Sequence, residues 1–282
     1  MVTIFKHPDL PDYFASVSGL QADTSPSQTP SIAKPYEYGR AILFPRLRFN
    51  IDHDFWAALP IEPSGPLSQI LACPAEGDPA DDPMLDQALA RAGPPGGLAR
   101  RLKREMAEFY RQALPIYDAL FAGYRFVRRR IVWRLAVERH QPMHIDVAAP
   151  GAQLAQLHVN LDDQPRIWMV SRPLEELYDR FGRSIPRALL ASGRPDEIHQ
   201  ALNQAAFADG AGELWDRHPR HVVYMDPGEV WAMDGQQIAH QLFYGRRAVS
   251  IAFEAAPESM AKRKRHHESV AQRYRLAALA GD

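Results

Sequence analysis

The feature that most constrains this chain is a run of period-two alternation between about residues 125 and 254. In RRRIVWRLAV, Ile131, Trp133, Leu135 and Val137 alternate with Val132, Arg134 and Ala136. Successive side chains of an extended strand point to opposite faces, so the pattern describes a half-buried strand. LAQLHVNL at 154–161 repeats it, with Gln156, His158 and Asn160 on one face and Leu157, Val159 and Leu161 on the other. RIWMVS (166–171), HVVYM (221–225), EVWAMD (229–234), a short strand near His240 and RAVSIAFE (247–254) continue the series.

Helical spacing falls mainly before and between these strands. Leu98, Leu102, Met106, Phe109, Tyr110 and Ala113 mark an amphipathic helix that Pro115 is expected to bend or break. Leu174, Leu177, Tyr178 and Phe181 mark a second helix, residues 196–206 a third, and Met84–Arg91 a short one. The order lacks the strand–helix–strand alternation of a parallel sheet. The expected fold is therefore β with supporting helices: a double-stranded β-helix of the cupin or jelly-roll kind, flanked by α-helices.

With 282 residues, 46% of them hydrophobic, the chain can bury one sizeable core. We expect a single domain over 36–256, preceded by a flexible arm (1–35) and followed by a basic tail (257–282), helical or disordered. The arm is rich in Ser, Pro, Thr and Asp and shows no sustained period. AILFPRLRF (41–49) is the first strand, with Pro45 favouring an edge or bulge, and 60–97 reads as connection around the short helix. A formal net charge of −1 argues against nucleic acid as a partner. The local basic clusters, Arg128–Arg130 and Lys262–His267, are either solvated charge or contacts to phosphate or carboxylate at a membrane surface. Cys73 is the single cysteine, which excludes an internal disulfide framework and multi-cysteine metal sites and fits a reducing, cytoplasmic setting. MVTIFKHPDL lacks the apolar stretch of a secretory signal, and no window approaches the roughly 18 apolar residues of a membrane span. The expectation is a soluble protein, or one peripheral to a membrane at most.

The chemistry is concentrated in HID at 144–146 and in the later His240. Two residues separated by one on a strand share a face, so His144 and Asp146 can hold one cation. A third ligand from a distant strand completes a two-histidine, one-carboxylate facial triad, which leaves coordination positions open for non-haem iron(II) oxygen chemistry. A bare HxD arises by chance in a chain with 11 histidines, often as a surface pair beside a turn. Its weight comes from context: a strand before it, a small-residue loop (VAAPGA) after it, and DPGEVWAMDGQQIAH giving a turn, a strand and then His240. RRAVSIAFE then follows at the distance where a basic residue can hold the far carboxylate of a 2-oxo acid. Arg247 is favoured for that task, because a guanidinium pairs bidentately with carboxylate and stays charged; Arg125, Arg128 and Arg134 of the earlier segment can also point inward, and Arg125 is kept as the rival. Gln156, His158 and Asn160 line a substrate pocket or face solvent. Trp168 and Trp231 are core residues, with Trp168 also a candidate cofactor contact. Asp234 competes as the carboxylate ligand but suits a turn better.

In these landmarks the sequence resembles the bacterial Kdo hydroxylases. YGRAILFPRLRF, MHIDVAAP, LHVNLDDQPRIWMVSRPLEEL and PGEVWAMDGQQIAH occur in the family's order, from about Tyr36 to Phe253. The resemblance implies His144, Asp146 and His240 as iron ligands, Fe(II) and 2-oxoglutarate as cofactors, dioxygen as co-substrate and ascorbate as reductant in vitro. It also implies hydroxylation of Kdo, the acidic sugar of the lipopolysaccharide inner core, on a glycolipid at the inner face of the inner membrane. The same chemistry on a small metabolite such as an amino acid, and a non-catalytic or isomerase cupin-like protein, are the alternative readings.

Overall fold

The structure is a computed structural model, and it describes residues 2–60, 70–75, 83–92, 96–135, 140–147, 151–207 and 218–280. Ala136 and Val137, the Ala-Ala-Pro of the loop after HID, and the Gly-Pro-Pro at 93–95 lie outside the described residues. The strands are β1 (Thr3–Phe5), β2 (Phe14–Ser16), β3 (Ala41–Leu43), β4 (Leu71–Pro74), β5 (Phe126–Arg128), β6 (Arg130–Arg134) and β7 (Gln141–His144), then β8 (Gln153–Asn160), β9 (Arg166–Pro173), β10 (His221–Met225), β11 (Val230–Ala232), β12 (Ile238–Tyr244) and β13 (Ala248–Ala255). The helices are α1 (Ala33–Glu37), α2 (His53–Ala57), α3 (Pro83–Ala92), α4 (Gly96–Leu120), α5 (Leu174–Phe181), α6 (Arg187–Ser192), α7 (Pro195–Phe207) and α8 (His267–Ala280). Among the described residues no helix is long and apolar enough to cross a membrane.

Two sheets result. The smaller runs β1-β10-β9-β12-β7; the larger runs β2-β3-β11-β8-β13-β6-β4, with β5 also pairing β13. From β6 onward the chain alternates between them: β6 large, β7 small, β8 large, β9 and β10 small, β11 large, β12 small, β13 large. This is jelly-roll winding, and the inner faces of the two sheets meet: His158 of β8 and Trp231 of β11 touch Trp168 of β9, with ring centroids 5.4 and 5.6 Å apart.

The apolar phase of the alternation faces outward from the large sheet and is covered by helices. Leu157 and Val159 of β8, Val249, Ile251 and Phe253 of β13, and Ile131 and Trp133 of β6 pack with Met106, Phe109, Tyr110 and Tyr117 of α4. Trp133 stacks on Trp56 at 5.3 Å, and Tyr117 meets Phe253 at 4.6 Å, contacts that contribute about 0.5–1.5 kcal/mol each beyond area burial. Pro115 does not break α4, which continues through it to Leu120. The proline is exposed, and burial of Ile116, Tyr117 and Leu120 beyond it offsets the lost hydrogen bond.

The flexible arm expected over 1–35 is also corrected. β1 pairs with β10 and β2 pairs in parallel with β3, so the segment closes one edge of each sheet. Leu10, Tyr13, Leu20 and Ile32 anchor it as buried residues. Covering an otherwise open edge satisfies backbone groups, which a polar composition does not reveal. The 257–280 tail is docked too. The buried Glu37 carboxylate accepts Ala261 N (2.8 Å) and Lys262 N (2.6 Å), and α8 buries Val270 and Ala271. The first basic cluster is engaged in ion pairs, Arg128 and Arg130 with Glu254 and Arg129 with Asp118; in the second, Arg265 pairs with Glu175 while Lys262, Arg263 and Lys264 are exposed.

Docking of α8 assembles three buried histidines. His267 lies 5.3 Å from His199 of α7 and 4.2 Å from His266, between ring centroids. Burial, and then mutual repulsion, lowers His199 to about 4 and His267 to about 2, while burial lowers His266 as well; Asp196 and Glu268 oppose these shifts only in part. A folded-state pKa below the unfolded value contributes stability above about pH 6.5 that is lost as pH falls toward the folded value. Thermal denaturation is expected to show a steep loss of stability between about pH 6.5 and pH 4. His199→Leu should flatten that dependence by roughly 1–3 kcal/mol. An unchanged slope in this variant would remove the cluster as its cause.

Candidate metal centre and binding cavity

His144 closes β7 and is the cross-strand partner of His240 on β12, with ring centroids 4.5 Å apart. Asp146 follows one residue beyond Ile145, and its backbone N donates to Gly235 O at 2.8 Å. One ligand atom from each of His144, Asp146 and His240 lies within 4.8 Å of the others. Asp146 Oδ1 is 3.3 Å from His144 Nε2 and 3.8 Å from His240 Nε2. His144 Nδ1 lies 2.7 Å from Pro142 O and His240 Nδ1 3.2 Å from Ile238 O. A carbonyl only accepts, so each Nδ1 carries the proton and each Nε2 keeps a lone pair for a cation.

Electrostatics favour the same use. Burial would raise Asp146, but the His240 charge and the His144 hydrogen bond outweigh it and hold the carboxyl at about 2. Burial lowers His240 to about 4. Burial also opposes protonation of His144, yet the Asp146 contact raises it, so a divalent cation replaces a proton there. Two imidazoles and a carboxylate suit a borderline divalent metal such as iron(II), and the donor set fits it.

The surroundings fix the HID segment. Ile145 N donates to Asn203 Oδ1 (2.9 Å), and Asn203 Nδ2 donates to Ile145 O (2.8 Å), so α7 clamps the ligand strand from outside. Trp168 stacks on His240 at 5.4 Å and 14°. Gly235 is required by space: a Cβ there would collide with Asp146 Oδ2 and lie 2.8 Å from both Asp146 Cγ and His240 Cε1. Neither Asn203 nor Gly235 carries a sequence signal of its own. Asp234 is not a ligand. Its buried carboxylate, pushed up to about 7 by burial, accepts Gln153 Nε2 and Gln236 N and so holds the turn.

Asp146, His240 and Trp168 open into a cavity that Gln156 and His158 also line, with Arg134, Gln141, Arg166, Ala248 and Ser250. His158 Nδ1 is 2.8 Å from Ser250 Oγ, which accepts Arg134 Nη1 at 2.9 Å. Burial, reinforced by Arg134 and Arg166, holds His158 well below the usual histidine range. Three expectations fail here. Arg247 points away from the cavity: alternation sends Ala248 and Ser250 inward, and the Arg247 guanidinium pairs with Asp162 (2.9 Å) and Leu59 O. Arg125 is exposed and meets Glu258 at 3.1 Å. Asn160 is consumed locally, its Nδ2 donating to Gln164 O and Met225 O (2.9 Å each) and its Oδ1 accepting Asp162 N. The cavity arginines are Arg134 and Arg166. Arg166 shares the inward face of β9 with Trp168, a phase that alternation alone could have supplied.

Comparison with protein-family models and with curated proteins finds no match. Solved structures do match over nearly the whole chain. A cobalt(II) complex of the Kdo hydroxylase KdoO, a non-heme Fe(II) alphaketoglutarate-dependent dioxygenase, aligns with a TM-score of 0.69 at 12% identity, covering 95% of this chain and 96% of that one. The complex of KdoO with alphaketoglutarate and Fe(III) aligns with a TM-score of 0.60 at 15% identity, covering 94% and 95%. The fold is the double-stranded β-helix. At this identity the likeness concerns the fold, and the site stands on its own geometry.

Gly235→Ala is expected to weaken Co(II) or Fe(II) binding about tenfold or more, because the Asp146 carboxylate must leave its position. Calorimetric metal titration beside a thermal melt checks this. A variant with native affinity and native stability would show that the turn does not gate the ligand geometry.

Proposed function

We propose that this protein is an Fe(II)- and 2-oxoglutarate-dependent dioxygenase that hydroxylates an unactivated C–H bond, with an acidic sugar of the Kdo kind as substrate. The observation that carries the reading is the convergence of the two-histidine, one-carboxylate cluster and two inward arginines on one cavity between the sheets. His144, Asp146 and His240 would hold the metal, which with a 2-oxo acid and dioxygen supplies the oxidising power for C–H cleavage.

The chain's own residues supply position and charge. The metal ligands lie on the small sheet, at β7 and β12, whereas Arg134 comes from β6 of the large sheet. Facing sheets are separated by about 10 Å, so Arg134 would be available to the free end of a five-carbon diacid bound at the metal. Arg134, steadied by Ser250 Oγ, is placed to take the far carboxylate bidentately. Ala248, its cross-strand neighbour, leaves room for that guanidinium. Trp168 supports His240 and walls the cavity, which limits water near the reacting centre. A sugar acid adds a second anionic group, matching the second cation, Arg166. The name of the structural neighbour supports this substrate class. A glycolipid carrying it would be met in the cytoplasm at the inner leaflet, where the exposed Lys262, Arg263 and Lys264 suit anionic headgroups.

The test is succinate release from 2-oxoglutarate by iron-loaded protein with ascorbate, with and without a Kdo-bearing lipid A precursor, followed by mass analysis of the product. Turnover stimulated by the precursor, with one added oxygen in the product, is expected. Uncoupled succinate alone would keep the cofactor chemistry and point to a small metabolite instead; no succinate would leave a non-catalytic cupin-like protein. Arg134→Leu should raise KM for 2-oxoglutarate at least about tenfold, the scale of a lost charge-assisted pair. His144→Ala should abolish coupled turnover, and its retention would remove the ligand assignment.

A further inference from the structure

Among its described residues the cavity offers the donors of Arg134, Arg166, Trp168 and His158, and the hydrogen-bond chain along its large-sheet wall fixes which donor His158 offers. An arginine only donates, so Arg134 Nη1 uses a lone pair of Ser250 Oγ. The remaining contact of that hydroxyl is His158 Nδ1 at 2.8 Å. If Ser250 donates to Nδ1, both groups are satisfied; the reverse would strand the serine proton and the Nε2 lone pair together. His158 therefore carries its proton on Nε2. The residue is only 6% exposed, and Nε2 has no partner in the protein. The ring is clamped by stacking on Trp231 at 5.2 Å and 22° and by contact with Trp168 at 5.4 Å, so it cannot turn to find one. Trp168 Nε1 is a second buried donor without a partner, on a ring lining the same cavity. Arg166 adds a cation whose guanidinium lies against Gly245, where a Cβ would come 2.9 Å from Cζ. Among the described residues of the lining, Asp146, the metal-ligand candidate, is the one acid. A buried donor left unpaired costs about 1–3 kcal/mol, so an oxygen-bearing ligand is the natural complement.

We propose that His158 Nε2–H, together with Arg166 and Trp168, forms a carboxylate-binding subsite for the primary substrate, separate from the Arg134 site for the 2-oxo acid. This rests on the oxygenase reading above. The separation follows from the ring itself, since Nδ1 faces the Ser250–Arg134 pair and Nε2, buried and without a protein partner, lies on the ring's other edge. Because the imidazole is a neutral donor, it distinguishes an acid or its ester by hydrogen bonding, while Arg166 supplies the charge. His158 is thus a specificity-determining residue, with Ser250 as the positioning residue that sets its tautomer.

Two measurements on the full-length protein test this. Nitrogen-15 NMR of the histidine side chains should show His158 as the Nε2–H tautomer, shifting to a mixture in Ser250→Ala. Anaerobic calorimetry on metal- and 2-oxoglutarate-loaded protein should show Kdo binding at least about tenfold more tightly than its methyl ester, the scale of one charged hydrogen bond. His158→Phe should lose most of that preference, and His158→Gln, which keeps an N–H donor, should retain much of it. An Nδ1–H tautomer overturns the proposal, as does an undiminished acid preference in His158→Phe. Failure of wild type to bind Kdo overturns the carboxylate assignment. Loss of the oxygenase reading itself would instead appear as absent succinate release with the tautomer intact.

Discussion

The antiparallel register between β8 and β13 sets both faces of the large sheet at once. Ser250 lies opposite His158, Ala248 opposite Asn160, Val249 opposite Val159 and Ile251 opposite Leu157. The same pairing sends Val249, Ile251 and Phe253 into the helix-covered core and turns Ser250 and His158 toward the cavity. A slip of one residue would exchange the two sets, placing polar groups under α4 and apolar ones around the metal centre. The α4 packing and the cavity hydrogen bonds are therefore two consequences of one register. Burial of Tyr117 against Phe253 helps to hold Ser250 in reach of Arg134.

Charge is divided by the same geometry. Arg246 and Arg247 leave the sheet on the outer side and neutralise Asp162, with Asp163 also engaged by Arg246. That ion-pair cluster braces the turn after β8 and has no part in the cavity. Inside, Arg134 and Arg166 line a space in which Asp146 is the one acid among the described residues. Arg134 is half-buried and Arg166 buried, and both lie beside His158, whose protonation they oppose.

What was legible in the sequence follows from how local each signal is. Period-two alternation in 131–135, 154–161 and 247–254 is strong because each strand buries one face against α4, and the HID pair is legible because two residues on one strand share a face. The partner His240 needed an assumption about a distant strand, and its pairing with His144 bears that assumption out in geometry. Arg247 was favoured on its spacing from His240, and its guanidinium lies on Asp162, off the cavity lining. Arg247 sits out of phase with Ala248 and Ser250, whereas Arg134 comes from a neighbouring strand, a relation no linear spacing encodes. The arm was misjudged for a related reason: three-residue strands such as β1 and β2 carry no periodic signal, and their pairing is decided by edges formed far along the chain. Gly235 was invisible because its role is an absence of atoms beside Asp146.

The turn at 234–237 connects what the sequence presents as separate. Asp234 anchors it by accepting from Gln153 and Gln236, Gly235 sits against the metal ligands, and Gln236 Oε1 accepts Leu154 N at 2.9 Å from the start of β8. On its far side the turn meets the C-terminal segment: Gln237 Nε2 donates to Arg265 O at 2.5 Å, and Gln236 Nε2 lies 3.5 Å from His267 Nε2. Gly39, in the left-handed region at φ +68°, lets the end of α1 approach Gln237, since a Cβ there would lie 3.0 Å from Gln237 O. The docked tail, the first helix and the β8 wall therefore press on one four-residue turn, and that turn holds the space in which Asp146 meets His144 and His240. Residues remote from the cluster, Glu37 clamping the tail among them, act on the geometry of the candidate ligands through this shared support.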